Sequence, residues 1–209
     1  MSSAALYCAS DDGFRRHAAW GGDEFLMTAP AHVETARLIM SVPEPNDAAE
    51  VFERYARDPD VTRYLGWPTH QAVSDTEGFI AFSTSQWERE GMGPYLIRSR
   101  QNGVLLGSTG LGLASTGQAG ASHRAMTGYV LAKDAWGQGY ATEALRAMVN
   151  VARGMGIVSL SALCHPEHHA SVHVLEKCEF ARDLRWTRQM VFPNLQPGPQ
   201  DVWCFTRTC

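Results

Sequence analysis

The sequence predicts a mixed α/β (α+β) fold, in which a mostly antiparallel sheet has helices on both faces. Two strand-like segments flank the dipeptide Asn102-Gly103, which favours a tight hairpin turn. Later strand-like segments alternate with segments whose apolar residues recur at helical spacing. Hydrophobic residues make up 44% and charged residues 19% of the 209 residues, a globular composition that can fill one large core. Together these patterns favour a layered domain of strands and helices.

Each predicted helix has a local signal at its start. Asn46 or Asp47 can cap the first helix, and the segment Ser74-Asp75-Thr76-Glu77 has the pattern of a capping box for the second. A third helix begins near Ala141, and a fourth covers residues 170–178. The apolar face of the third helix consists of Ala141, Leu145, Met148, Val149 and Ala152, at i, i+4, i+7, i+8 and i+11. The predicted strands are 37–42, 95–98, 104–111, 127–131, 158–163, 186–191 and 202–207.

The first 32 residues differ from the rest of the chain. They are rich in Ser, Ala, Gly and charges and show little apolar periodicity. We interpret residues 1–32 as an N-terminal extension and residues 33–209 as one domain. Met27 could be an internal start, a question that the pattern leaves open.

Composition argues against several classes of protein. Lys and Arg total 18 and Asp and Glu total 22, which gives a formal net charge of −4 without any basic run, so nucleic-acid binding is disfavoured. No apolar run reaches the roughly 18 residues that a membrane helix needs. The five cysteines are odd in number and widely spaced, which favours a reducing compartment, the cytoplasm. Monomer and homodimer both remain open.

The loop between the predicted strand ending at Leu131 and the helix near Ala141 carries the strongest chemical signal. It contains Gly137 and Gly139, which let the backbone approach a ligand closely. Backbone N–H groups at a helix start have no partners within the helix, and the helix dipole is positive there. Such a loop suits a pyrophosphate.

Other nucleotide motifs do not match this loop. A P-loop requires Lys after its glycines, and none follows here. The Rossmann fingerprint requires a third Gly or Ala where Thr142 stands. A simple turn before a helix is the remaining alternative.

The segment Trp136-Gly137-Gln138-Gly139-Tyr140-Ala141-Thr142-Glu143-Ala144 closely resembles the acetyl-CoA loop of the GNAT N-acetyltransferase superfamily, and specifically of its RimJ/RimL-like branch. Four further segments resemble that branch in the same order: Glu34-Thr35-Ala36-Arg37-Leu38, Asp58 to Trp67, Gly128-Tyr129-Val130-Leu131, and Pro166 to Phe180. The resemblance covers roughly residues 35–207 and implies the GNAT fold and transfer of an acetyl group to a primary amine.

The resemblance also implies a set of site residues. The strand Tyr129-Val130-Leu131 would splay from the next strand and bind the pantetheine arm, and the amide of Val130 or Leu131 would polarise the thioester. Ser171 would protonate the leaving thiolate, and His168 would lie near the arm. Lys177 could contact a CoA phosphate. The pyrophosphate would be held by the loop residues Trp136, Gly137, Gln138, Gly139, Tyr140, Ala141 and Thr142, with Gln138 at the phosphate-facing turn.

Three positions depart from the family pattern. His168 stands where Asn is usual, and Glu179 replaces a glycine whose backbone is left-handed, at a cost of about 1 kcal/mol. Met126 stands where many members carry a Glu that serves as base. A missing base favours an α-amine, with a pKa of about 8, over a lysine amine of about 10.4, because more of the former is neutral at pH 7. His123 is an alternative base.

Other groups of residues favour a metal site or a hydrolase less strongly. The histidine-rich segment 165–173 contains metal-ligand types, but no matching second cluster exists, so no metal is predicted. A hydrolase would need a Gly-x-Ser-x-Gly turn, which is absent around Ser171. Tyr64 and Trp67 could line an acceptor pocket or simply pack in the core. The predicted partners are acetyl-CoA and an amine acceptor; an acyl-CoA-binding module without turnover is the alternative.

Overall fold

Strands in the computed structural model, which describes residues 28–114, 123–186 and 188–209, form one mixed sheet. The order across the sheet is β1-β2-β3-β4-β5-β6-β9-β7, and β8 pairs with β9. Every pairing is antiparallel except that of β5 with β6. The strands are β1 His32–Glu34, β2 Leu38–Ser41, β3 Pro94–Ser99, β4 Leu105–Leu113, β5 Arg124–Leu131, β6 Ser159–Cys164, β7 Ala181–Arg182, β8 Arg188–Val191 and β9 Pro199–Thr208.

The predicted hairpin is confirmed. β3 and β4 pair antiparallel on either side of the Asn102-Gly103 turn. Gly103 has a φ of 73°, which a side chain would disfavour, and the Val104 N–H donates to Asn102 Oδ1 at 3.2 Å.

Helices cover both faces of the sheet. They are α1 Ala48–Val51, which continues as a π-helical turn Phe52–Ala56, then α2 Pro59–Thr62, α3 Val73–Glu90, α4 Tyr140–Gly154 and α5 His169–Lys177. Leu131 packs in a core with Leu145 and Met148 of α4, whereas the adjacent Val130 packs in a second core that includes Val51 of α1. Because successive strand residues point to opposite faces, α1 and α4 lie on opposite sides of β5.

One local prediction was wrong. The second long helix begins at Val73, and Asp75 Oδ2 accepts from the backbone N–H groups of Gln71 and Ala72, so Ser74 and Glu77 form no capping box.

The boundary between the extension and the domain at residue 33 stays a prediction. In the described part of the extension, Ala29 is buried and its N–H donates to the Gly91 carbonyl. The remainder of the extension, including Met27, lies outside the described residues.

None of the helices within the described ranges is both long and apolar enough to cross a membrane.

Candidate active site

A gap opens between β5 and β6, which form the one parallel pair among the described strands. The two strands pair only at Arg124–Ser159, Ala125–Leu160 and Met126–Ser161, whereas β6 continues to pair with β9 as far as Cys164. Beyond Met126 the strands diverge, and a cavity of about 100 Å³ lies between them. Its lining consists of Tyr64, Leu65, Gly66, Trp67, Met126, Thr127, Gly128, Tyr129, Ala162, Leu163, Cys164, His165, His168, Ser171, Leu175, Met190 and Phe192.

The backbone direction along β5 decides which amides face this gap. The Ala132 N–H donates to Leu106 in β4 at 2.8 Å, and N–H groups alternate in direction along an antiparallel strand. The N–H of Val130 therefore also points toward β4, while those of Tyr129 and Leu131 point into the gap. The prediction that Val130 could polarise a thioester is corrected on this ground, and Leu131 remains.

The glycine loop connects β5 to α4. Gly137 and Gly139 have φ values of 74° and 79°, left-handed conformations that favour glycine, and Gly139 is the residue at the N-terminus of α4. Within the described part of the chain, the amides from Gly137 to Thr142 donate to no acceptor; the first backbone bond of α4 runs from Glu143 N–H to the Gly139 carbonyl. Donors without partners at the positive end of a 15-residue helix form an anion-binding arrangement.

Side chains of the loop hold its backbone in place. Trp136 is 46% exposed, and its Nε1 donates to the Leu131 carbonyl at 2.8 Å. Gln138 Nε2 donates to the Asp134 carbonyl at 2.8 Å, so its amide group stabilises the loop itself. The ring of Tyr140 lies 4.6 Å beneath the guanidinium of Arg37. These contacts fix the conformation that leaves the loop amides accessible.

Ser171 and Tyr129 form a hydroxyl pair at the cavity. Ser171 lies in the first turn of α5, and its Oγ lies 2.9 Å from the Tyr129 hydroxyl, which also donates to the Ser171 carbonyl at 3.1 Å. Burial raises the pKa of the Tyr129 hydroxyl, although the hydrogen bond to Ser171 opposes this. Burial likewise raises the pKa of the nearby Cys164 thiol to about 11. Both groups therefore remain protonated at pH 7.

His168 stacks on Tyr64 at the cavity wall, with ring centroids 4.6 Å apart. Burial, together with the neighbouring His165 and His169, lowers the pKa of His168 to about 4. His168 is thus not suited to accept a proton at pH 7. Both ring nitrogens of His165 have partners: Nδ1 accepts from the Glu167 N–H, and Nε2 lies 3.2 Å from Gln200 Oε1.

Further parts of the lining come from the segment Tyr64–Trp67 and from residues around β8. Asn194 joins these two regions through its amide: Nδ2 donates to the carbonyls of Thr62 and Trp67, each at 2.8 Å, and Oδ1 accepts from the Thr69 N–H at 2.8 Å. The Thr69 hydroxyl donates to the same oxygen at 3.1 Å. Asn194 uses its full hydrogen-bonding capacity to hold this wall.

The cavity lining contains no Asp, Glu, Lys or Arg side chain among the described residues. Three titratable groups of this lining, Tyr129, Cys164 and His168, are held in their neutral forms by burial. These three groups therefore carry no charge at pH 7.

Some predicted residues do not come together. His123 precedes β5 and is not among the lining residues; it lies three positions before Met126, or about 10 Å along the strand, so it is not placed to act as the base. Met126 itself does line the cavity. His169 and His173 lie exposed on α5, and the described ranges contain no group of three metal-ligating side chains. Lys177, at the end of α5, lines a groove along α4 that Arg37, Gly139 and Thr142 also line, and its contact with a CoA phosphate stays a prediction.

Sequence reasoning missed three contributors. The Tyr129 hydroxyl was overlooked because only its backbone was considered. Asn194 and Met190 were overlooked because they lie more than 120 residues from the segment that they contact. A hydrophobic segment followed by Asn in a proline-rich loop carries no local signal for that role.

A backbone anion site lies beside a gap between two parallel strands, an arrangement that suits an extended ligand with a phosphate group. Residues 37–181 match the family model described as "Acetyltransferase (GNAT) domain". The chain therefore belongs to the GNAT acetyltransferase family and is an acyltransferase that depends on acetyl-CoA.

Individual relatives agree with this membership. The chain is 25% identical over 177 residues to the uncharacterized N-acetyltransferase YoaA of Bacillus subtilis (strain 168), covering 84% of this chain and 96% of that protein. Two solved structures share the fold. The microcin C7 self-immunity acetyltransferase MccE, in complex with acetyl-CoA and AMP, has a TM-score of 0.73 at 16% identity and covers 87% of this chain and 98% of its own. The ribosomal L7/L12 α-N-protein acetyltransferase RimL, in complex with coenzyme A, has a TM-score of 0.70 at 18% identity, with 86% and 97% covered. The RimL structure is consistent with the predicted RimJ/RimL-like branch.

Proposed function

We propose that this protein transfers an acetyl group from acetyl-CoA to a primary amine of low pKa, either a protein N-terminal α-amine or a small-molecule amine, by direct attack in a ternary complex. The observation that carries the proposal is the cavity between β5 and β6, which no described Asp, Glu, Lys or Arg side chain lines, at the end of the strand that leads into the loop of unpaired amides. A reducing compartment, the cytoplasm, fits the four described cysteines, which are all unpaired.

The donor side supplies backbone groups. The amides of Gly137 to Thr142 bind the diphosphate of acetyl-CoA, and the gap along Tyr129 to Leu131 receives the pantetheine arm. The Leu131 N–H, which points into the gap, donates to the thioester oxygen as negative charge develops on it. A backbone donor of this kind contributes a few kcal/mol to stabilisation of the transition state.

The neutral groups around the cavity supply the proton that the leaving sulfur requires. The amine nitrogen attacks the carbonyl carbon, the C–S bond breaks, and one proton leaves nitrogen while one joins sulfur. Ser171 donates to the leaving sulfur, and Tyr129, whose hydroxyl lies 2.9 Å from Ser171 Oγ, supports it as the second hydroxyl of the pair. His168, neutral at pH 7, orients the arm or the amine through a hydrogen bond.

The groups on the acceptor side favour an amine that enters the site already unprotonated. Met126 offers no base, the pKa of His168 is lowered to about 4, and none of the described carboxylates lines the cavity to attract an ammonium group. A peptide α-amine is about one tenth neutral at pH 7, whereas a lysine amine is neutral only at roughly four parts in ten thousand. The site therefore favours α-amines and aromatic amines over lysines and polyamines.

A screen of acceptors tests this function. Acetyl-CoA is incubated with N-terminal peptides, aromatic amines, a lysine side-chain analogue and a polyamine, and thiol release is followed from pH 6 to 9. We expect release with the first two groups and little with the others below pH 8. Preferential acetylation of the polyamine at pH 7 would contradict the proposal.

A binding module without turnover is the second candidate, favoured by the substitutions at Met126, His168 and Glu179. It predicts that CoA binds with measurable heat while none of the acceptors yields thiol. Calorimetry alongside the same screen separates the two functions.

A further inference from the structure

A carboxylate lies where the diphosphate of the donor is expected. Glu143 occupies the first turn of α4, only four positions after Gly139, and its side chain is 18% exposed. An unpaired negative charge at this point would repel a diphosphate bound by the amides of the same turn. The surrounding contacts show how the chain neutralises it.

Three donors from the start of the sheet converge on the Glu143 carboxylate. The Thr35 hydroxyl donates at 2.6 Å, the Arg37 N–H at 2.9 Å and Arg37 Nε at 2.6 Å. Burial alone would raise the pKa of Glu143, but these hydrogen bonds outweigh it and hold the pKa below its ordinary value. Glu143 is therefore ionised and fully paired, so its charge is cancelled by Arg37.

The Arg37 guanidinium donates to two acceptors through Nε and Nη1, and its Nη2 group is available for a third. Nε donates to Glu143, and Nη1 donates to the Gln138 carbonyl at 2.9 Å, inside the glycine loop. Nη2 has no acceptor within the described part of the chain. It lies 3.5 Å from the position that a Cβ on Gly139 would occupy, so it is directed across the loop of unpaired amides.

We propose that Arg37 binds the diphosphate of acetyl-CoA through Nη2 and that Glu143 is a positioning residue that aims the guanidinium. This inference deepens the proposed function and rests on the same donor site. The planar guanidinium has donors in a fixed fork, which allows it to contact Glu143, the Gln138 carbonyl and a phosphate oxygen at once. A lysine could not make all three contacts.

Binding of donor fragments by calorimetry tests the assignment. CoA and dephospho-CoA both carry the diphosphate, whereas pantetheine lacks it. We expect Arg37→Gln to weaken binding of CoA and dephospho-CoA about tenfold or more, and to leave pantetheine binding unchanged. Arg37→Lys, which keeps the charge without the fork, should give a smaller loss with the same ligand pattern.

Two further variants distinguish a direct contact between Arg37 and the diphosphate from a purely structural role of Arg37. Glu143→Gln keeps Arg37 but removes the charge that positions it, so we expect a smaller loss of CoA affinity than Arg37→Gln causes. Arg89→Gln, near the end of α3, removes the same charge from an exposed arginine and should leave all three affinities unchanged. Thermal unfolding of each variant shows whether the fold is retained.

Each outcome decides something. Equal CoA affinity of Arg37→Gln and the wild type would overturn this inference and leave the proposed function standing. A loss that is equal for pantetheine and CoA would assign Arg37 a purely structural role, which also overturns it. Absence of CoA binding by the wild type would overturn the proposed function and this inference together.

Discussion

The proposed donor side and the proposed acceptor side of this site are built in different ways. The donor side is a contiguous stretch, residues 129–142, and its binding groups are mostly backbone amides. The acceptor wall is assembled from side chains of three distant segments: residues 64–67, 165–168 and 190–194. The donor side can therefore serve one ligand across a family, while the acceptor wall can change with each substrate through side-chain substitution.

The largest expected effect lies where the two sides meet, at the hydroxyl pair. We predict that the double variant Ser171→Ala with Tyr129→Phe lowers the rate of thiol release by about 10²- to 10³-fold, and that each single variant has a smaller effect because the other hydroxyl remains. Single-turnover kinetics with acetyl-CoA provide the measurement.

Ser83→Ala is the matched control, since Ser83 is a buried serine in α3 whose hydroxyl donates to the Phe79 carbonyl of the same helix. Its rate should equal that of the wild type. Unchanged turnover in the double variant would remove both hydroxyls from the chemistry.

A second prediction tests whether the acceptor wall can be changed without an effect on CoA binding. Asn194→Ala removes four hydrogen bonds, among them the one to the carbonyl of the buried Trp67, while the Thr62 carbonyl still accepts from the Leu65 N–H. We expect the free energy of unfolding to fall by about 2–3 kcal/mol and the KM for the amine to rise, with the CoA affinity unchanged. Denaturant unfolding and calorimetry measure the two quantities. An equal loss of CoA affinity would mean that the two sides are not independent.

The same difference explains what the sequence could predict. The glycine loop and α4 were predictable because glycine positions, helix start and apolar spacing all lie within twenty residues. The left-handed backbone of Glu179 was also predictable, since the turn after α5 requires it; its φ is 62°. The wall held by Asn194 was not predictable, because its contacts cross more than 120 residues.

Orientation was harder to predict than position. Val130 was expected to contribute its amide, but only the pairing of Ala132 with Leu106 reveals which N–H groups face β4. His123 was placed near the site because it is close in sequence to Met126, yet the strand carries it away from the gap. β1 and β7 went unrecognised because strands of three and two residues carry too little alternation to detect.

A third prediction concerns the stability of the fold at low pH. The pKa of His168 is lowered to about 4 in the folded protein, against about 6.5 when unfolded, so protons favour the unfolded chain below pH 6.5. We expect the wild type to lose about 2 kcal/mol more stability than His168→Asn between pH 7 and pH 5. Unfolding at both pH values measures this difference. An equal loss in the two proteins would show that His168 is not held neutral by the site.

The smallest effect is expected at Glu179, which lies outside both walls. Glu179→Gly removes the strain of a side chain on a left-handed backbone. It also removes the ion pair in which the exposed Glu179 carboxylate lies 2.8 Å from Arg207 Nη2. We expect a gain of up to about 1 kcal/mol in stability, with no change in CoA affinity or turnover. Thermal unfolding and the standard assay check this. A change in turnover would mean that the departure from the family at this position affects the site.

The central claim is that the amides of residues 137–142 bind the donor diphosphate. Backbone N–H resonances of ¹⁵N-labelled protein, recorded while CoA and then pantetheine are added to separate samples, test it most directly. We predict that CoA shifts the resonances of Gly137 to Thr142 downfield and that pantetheine leaves them in place while moving those of Tyr129 and Leu131. Resonances of residues 137–142 that stay unchanged at saturating CoA would contradict the account.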